Sequence, residues 1–198
     1  MSWWEPRTDV PLHEWRPSAF EMLPAALPEA RRVHDRIWVS TGLSHSWLIT
    51  TDDGRVIVNT GMGFESPVHK RNFDAVDDSP TRAIIFTQAH PDHVGGADHF
   101  REDGTELIAQ AGNAEHLEQD ARIAAYRQHR SDFAFADTVR DGAIRILKEF
   151  GGLPDQASPT PTITFDDRYE LTVGGVDLEL LATPGGETFE SLVVWLPR

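Results

Sequence analysis

The order of patterns along the chain predicts an α+β fold, with a mixed sheet or two packed sheets and helices outside. Three observations carry this. Short runs rich in β-branched and aromatic residues occupy 37–60, helical patterns fill 113–130 and 138–150, and four more strand-like runs follow residue 161. At 198 residues, 39% hydrophobic and 25% charged, the chain can bury a core and suits one globular domain with an extension.

Residues 1–32 read as a Pro/Trp-rich N-terminal arm. Trp3, Trp4, Trp15 and Phe20 argue against plain disorder, and five prolines in residues 1–30 prevent long regular structure. The arm is expected to pack on the body or on a partner, leaving 33–198 as the globular domain. IWVST (37–41), SWLITT (46–51) and RVIVNT (55–60) read as strands, with Asp53-Gly54 as a hairpin turn. Residues 61–80 read as loop and a short helix. AIIFT (83–87) is continuously apolar, as a buried strand requires, and ELIAQ (106–110) is another strand. A helix is expected to begin within 94–102.

For the helix 113–130, Asn113 is the expected N-cap, and Ala114, Leu117, Ala121 and Ala124 give an apolar stripe. A second helix over 138–150 carries Val139, Ala143, Leu147 and Phe150 on one face and stops at Gly151-Gly152. After a Pro-rich loop come TITF, YELTV, VDLELLA and SLVVWL, separated by Asp-Asp, Gly-Gly and Pro-Gly-Gly turns.

The formal charge is −14, from 18 basic against 32 acidic residues. Such a surface repels phosphate backbones and anionic membranes, so neither nucleic acid nor membrane is an expected partner. No apolar run is long enough to span a bilayer, and the N-terminus lacks the pattern of a secretory signal, which makes the cytoplasm the default location. There are no cysteines. A metal held here must therefore use His, Asp, Glu or amide ligands.

Such ligands cluster in FTQAHPDHVGG (86–96). Gln88, His90 and Asp92 would face one side of an extended loop, His93 adds a second imidazole, and Gly95-Gly96 lets the chain turn tightly. The cluster follows a buried strand, where α/β folds place ligand chemistry. His45, in the loop GLSHS, is a candidate lining residue of a substrate pocket. His99 and His116 fall on helical stretches and are expected at the surface. Tyr126, Arg127 and Arg130 could form an anion pocket, while Arg122 and Arg127 more simply pair with acids such as Glu118.

Gln88-Ala89-His90-Pro91-Asp92-His93 resembles the H-x-H-x-D-H signature of the metallo-β-lactamase superfamily. SWLITTDDGRVIVNTG (46–61) resembles the hairpin before that motif, ending in D-T-G. LLATPGGETFESLVVWLP (180–197) resembles its later strand, Pro-Gly loop and strand. The resemblance implies an αββα metallo-β-lactamase-like sandwich with metal at one edge. It also implies hydrolysis of a small-molecule substrate, using one or two zinc ions, with iron or manganese as alternatives. In the two-metal scheme the H-x-H pair and a later ligand hold the first ion, while Asp92 and His93 serve the second.

Four departures matter. Gln88, a weak neutral ligand, replaces the first His. Asn59 replaces the Asp of D-T-G. Glu187 stands after Pro184-Gly185-Gly186, as in the alkylsulfatase-like branch, and is an expected metal ligand, with Glu190 a weaker one. Fourth, the pattern's last strand, bridging carboxylate and final His are expected beyond Arg198, so the fold would be incomplete at the C-terminus. The expected metal ligands are thus His90, Asp92, His93 and Glu187, with Gln88 weak. The expected function is attack of a metal-bound hydroxide on a carboxylic or sulfate ester or lactone, with Asp92 both binding metal and orienting the water. The alternative is a non-catalytic or half-site subunit that completes or regulates a partner chain. In either case a second polypeptide or a homodimer would cover the open C-terminal edge.

Overall fold

The computed structural model describes residues 23–197, apart from the side chains of 132–134. Most of the N-terminal arm, with Trp3, Trp4, Trp15 and Phe20, lies outside the described residues.

Seven strands form one sheet in sequence order: β1 (Arg31–His34), β2 (Ile37–Ser40), β3 (Ser46–Thr50), β4 (Arg55–Val58), β5 (Thr81–Ile85), β6 (Glu106–Gln110) and β7 (Ile163–Phe165). The first four strands pair antiparallel, and β4 to β7 run parallel. The change has a local cause. Thr51–Gly54 makes a tight turn, with Gly54 at φ 87° and Thr51 Oγ1 donating to the Gly54 carbonyl at 2.6 Å. After β4 the chain instead crosses over through helical segments, as parallel pairing demands. These are α1 (Ser66–Asp74), the single turns α2 (Pro91–Val94) and α3 (Ala97–Phe100), and the long α4 (Asn113–Phe150). A second sheet of β8 (Arg168–Val173), β9 (Val176–Ala182) and β10 (Leu192–Trp195) is antiparallel, in the order β10-β9-β8.

Strand alternation sorts the buried residues into two cores. Leu48, Ile57, Ile84, Phe86 and Leu107 face the helical side and pack with Phe73, Val94, Ala97 and Phe100. Ile49, Val56, Val58, Ala83, Ile85 and Ile108 face the second sheet and meet Leu178, Leu180 and Leu192. The layers are therefore helices, sheet, sheet. On the outer face of the second sheet Val193 and Trp195 are 45% and 56% exposed, and no helix covers them among the described residues.

The middle of the chain departs from expectation. The two helices expected at 113–130 and 138–150 are one, because 131–137 holds neither glycine nor proline to break it. Gly142 lies inside α4 because a Cβ there would come 2.4 Å from Pro24 Cγ. Gly112, not Asn113, is the N-cap, and Asn113 is the first helical residue. The expected apolar stripe is not the buried face. Ala114, Ala121 and Ala124 are exposed, while Asn113 and His116 are buried and Asp120 is half-buried. Alanine buries too little area to fix a helix's rotation, and here polar contacts set it. Further along, Gly142 and Ile146 are buried, whereas Leu147 and Phe150 are 45% and 37% exposed. Gly151, at φ 75°, ends the helix as its position predicts.

Leu23–Ala25 pack on this helix, with Arg145 donating to the Pro24 and Ala25 carbonyls at 2.8 and 2.6 Å. Among the described residues no helix is long and apolar enough to cross a membrane.

Candidate metal centre

The parallel strands β4 and β5 deliver the motif residues to one end of the sheet. Just past β4, Asn59 takes φ 58°, a left-handed conformation Asn tolerates better than most residues. From there its side-chain oxygen accepts the Thr87 N–H at 2.9 Å and its amide donates to Thr87 Oγ1 at 2.9 Å. Asn59 thus fixes the exit of β5. Thr60 accompanies it, its N–H and Oγ1 donating to the His93 carbonyl at 2.8 and 3.1 Å.

The motif loop stays extended only as far as His90, at φ −60° and ψ 147°. Pro91 then starts a helical turn, because its fixed φ suits the first helical position. The fully extended arrangement of Gln88, His90 and Asp92 is therefore not adopted. Asp92 and His93 ride on the turn, and His93 swings back towards Gln88, with 2.9 Å between Gln88 Nε2 and His93 Nε2.

The Pro-Gly loop between β9 and β10 meets this loop from the other side of the sequence. Gly185 (φ 85°) permits the bend, and Ser191 Oγ accepts the Thr188 N–H at 2.9 Å. Leu192 N–H donates to the Thr87 carbonyl at 2.9 Å, locking the two loops together. Two pairs of ligand-type groups result. His90 Nδ1 stands 3.6 Å from Glu187 Oε1, and His93 Nε2 stands 3.7 Å from Asp92 Oδ2. Gln88 lies between the pairs, donating to Glu187 Oε2 at 2.6 Å. Its own Oε1 is buried without a hydrogen-bond partner. Burial holds the His93 imidazole below its ordinary pKa, against the pull of Asp92 and Glu187. Thr87 Oγ1, 3.3 Å from His93 Nδ1, orients the ring from behind.

His45 is half-buried, 6.5 Å from the Trp47 ring centroid, and burial lowers its pKa with help from Arg31. Its neighbour Ser44 is the residue of that loop whose hydroxyl approaches the cluster, 3.4 Å from His93 Nε2. The loop is held by Glu65, whose buried carboxylate accepts the N–H groups of Ala25, Leu43 and Met62. Desolvation raises the Glu65 pKa despite those bonds.

A third group of ligands was not foreseen. His116, expected at the surface, is 7% exposed, and its Nδ1 stands 2.8 Å from Glu190 Oε1. His116 Nε2 is 3.5 Å from Asp120, and its ring meets the His90 ring edge-on at 4.9 Å. Ligand atoms of His90, His116 and Asp120 all lie within 4.8 Å of one another. Arg127 also pairs with Asp120. His99 remains exposed, as expected. The signal for the missed residues was present: Asn113, His116 and Asp120 recur at helical spacing on one face.

The beta-lactamase superfamily domain pattern matches residues 54–185, which include the β4 exit, the motif loop and the start of the Pro-Gly loop. The chain belongs to the metallo-β-lactamase superfamily. The linear primary-alkylsulfatase of Pseudomonas sp. (strain ATCC 19151) is 26% identical over 162 residues, 76% of this chain and 30% of that protein. An alkyl/aryl-sulfatase of Saccharomyces cerevisiae is 22% identical over 84% of the chain and 28% of its own length. The chain thus spans about 30% of the curated relatives it matches. Among solved structures, a stereoselective inverting sec-alkylsulfatase from Pseudomonas sp. superposes with TM-score 0.67 at 19% identity, covering 86% of this chain and 30% of that one. A class B3 di-zinc metallo-β-lactamase from an Alaskan soil metagenome gives TM-score 0.59 at 23% identity, covering 88% and 58%.

The donor set suits a divalent ion of zinc type. Imidazoles alternate with carboxylates, the chain has no cysteine, and a buried amide oxygen at Gln88 has no hydrogen-bond partner.

Proposed function

We propose that this chain carries a metal centre for sulfate-ester hydrolysis, using zinc, with iron or manganese as alternatives. One observation carries the reading. Glu187 of the Pro-Gly-Gly-Glu loop reaches Gln88, 99 positions away in sequence, at 2.6 Å and comes within 3.6 Å of His90. Glu187 is exposed, yet its carboxylate contacts both motif residues and so closes a ring of ligand-type groups.

His90 with Glu187, and Asp92 with His93, would hold the ion or ions. Bound there, such an ion lowers the pKa of water towards neutrality and stabilises charge on a leaving oxygen. Asp92 orients the attacking water through its carboxylate. Thr87 and Ser44 hold the His93 ring in place, and the alkyl sulfate would enter by the loop of Ser44 and His45. The test is hydrolysis of an alkyl sulfate and an aryl sulfate by the zinc-loaded protein, alongside His93→Ala and Asp92→Ala. Either variant should lose activity at least a hundredfold, and full activity in either would sink the proposal.

Gln88 favours a second reading, in which the chain is a half-site that completes a partner, because a neutral amide replaces an imidazole at the heart of the cluster. In that case hydrolysis would appear only on mixing with the partner chain.

A further inference from the structure

We propose that a divalent cation is held by His90, His116 and Asp120, with Glu190 as the carboxylate that orients His116. The inference deepens the functional reading, because His90 is common to both, but His116, Asp120 and Glu190 lie outside the H-x-H-x-D-H and Pro-Gly-Gly-Glu elements. In this chain the helix would supply the imidazole that Gln88 no longer provides.

The geometry is that of a metal-ligating histidine. Such a ring turns one nitrogen to a buried carboxylate and presents the other to the ion. Glu190 is 1% exposed and fixed by the Ala89 N–H at 3.1 Å and the Thr188 hydroxyl at 2.8 Å. It faces His116 Nδ1 at 2.8 Å. His116 Nε2 lies 3.5 Å from Asp120 Oδ1, and the edge-on His90 ring completes the set within 4.8 Å. The second oxygen of Glu190 is buried with no hydrogen-bond partner, and the His116 Nδ1 contact lacks hydrogen-bond alignment.

The bland account is a buried His–Glu ion pair with Asp120 serving Arg127. It does not explain the approach of a second imidazole, His90, to His116. Arg127 contacts the same Asp120 oxygen that faces His116, so it competes with the ion and sets its affinity.

The test is zinc titration by calorimetry and the visible spectrum of the cobalt-substituted protein. The double variant Asp92→Asn with His93→Ala removes the other pair and serves as background. It should bind one zinc per chain. Adding His116→Ala should weaken that binding at least tenfold and change the cobalt spectrum, and adding Arg127→Ala should tighten it several-fold. Far-UV circular dichroism checks folding, and His116→Gln, close in size to histidine, replaces His116→Ala if that variant unfolds. A folded double variant that binds no zinc, or one whose affinity ignores His116, overturns the inference. Alkyl sulfate turnover by the unmodified chain is read separately. No turnover with the His116-dependent zinc present refutes the functional reading alone, and turnover without that zinc refutes this site alone.

Discussion

Asn59 offers a test of how the centre is held, because its backbone and side-chain contributions separate by mutation. Its left-handed φ of 58° would cost an ordinary residue ~1 kcal/mol or more, a strain glycine does not feel. Its side chain satisfies the Thr87 N–H and hydroxyl at 2.9 Å each, in a residue only 5% exposed. Leaving such groups unpaired costs ~1–3 kcal/mol. Asn59→Gly loses the side chain and relieves the backbone, so it should cost ~1–2 kcal/mol. Asn59→Ala loses the side chain and adds strain, for ~2–4 kcal/mol. The gap of ~1 kcal/mol between them isolates the backbone term. Urea denaturation followed by circular dichroism measures both. Equal losses in the two variants, or a loss below ~0.5 kcal/mol in either, would refute the account. Because Thr87 also backs His93, 3.3 Å from its Nδ1, Asn59→Ala should weaken zinc binding as well, and Asn59→Asp should strengthen it by adding negative charge behind the ring.

Gln88→His should tighten zinc by about tenfold or more, since imidazole outranks an amide oxygen as a ligand; unchanged affinity in calorimetry would count against a metal near residue 88. Burial lowers the pKa of the His69 imidazole to about 3, from an ordinary value of 6.5. Between those pH values the unfolded chain binds a proton that the folded one refuses, so the stability due to His69 is complete above 6.5 and falls as pH drops towards 3, by up to ~1.4 kcal/mol per unit. Glu65, raised by burial, acts in the opposite sense above its unfolded value of 4.5. The wild-type curve minus that of His69→Asn therefore isolates the histidine, and a flat difference between pH 4 and 6 would contradict the assignment. Asp74→Ala should cost ~3 kcal/mol in denaturant melts, because it strips the carboxylate 2.8 Å from Arg55, whose side chain is 1% exposed. A loss under ~1 kcal/mol would mean water reaches Arg55.

The strands were readable because their pattern is local. ELIAQ and VDLELLA match β6 and β9 residue for residue, since alternation or continuous burial marks a strand directly. β1 escaped notice because RRVH is exposed along its whole length and carries no such pattern. The helix 113–150 was misjudged for a different reason. Its rotation is decided by partners far away in sequence, chiefly Glu190, which contacts His116 from the Pro-Gly loop. Apolar spacing cannot anticipate a face chosen by ion pairs. The same applies to the site. His90, Asp92 and His93 lie within four positions and so stand out as a cluster in the sequence. Glu187 is legible only through the resemblance of its loop, while the fold alone brings His116 and Asp120 beside His90.

The electrostatic balance of the assembled region bears on what fills it. Asp92, Glu187, Glu190 and Asp120 bring four carboxylates to one end of the sheet, and Arg127 is the guanidinium that pairs among them. Three imidazoles, His90, His93 and His116, interleave with the acids. Burial disfavours the charged form of His93, so this ring is a poor source of the missing positive charge. Neutral imidazoles with an outward lone pair are instead metal donors, and excess carboxylate charge is what a divalent ion neutralises. Gln88 fits the same logic. An amide adds neither charge nor strong ligation, yet its N–H groups hold His93 and Glu187 in place while its oxygen stays unmatched. On the proposed reading Gln88 keeps a positioning role and ligation shifts towards the helix.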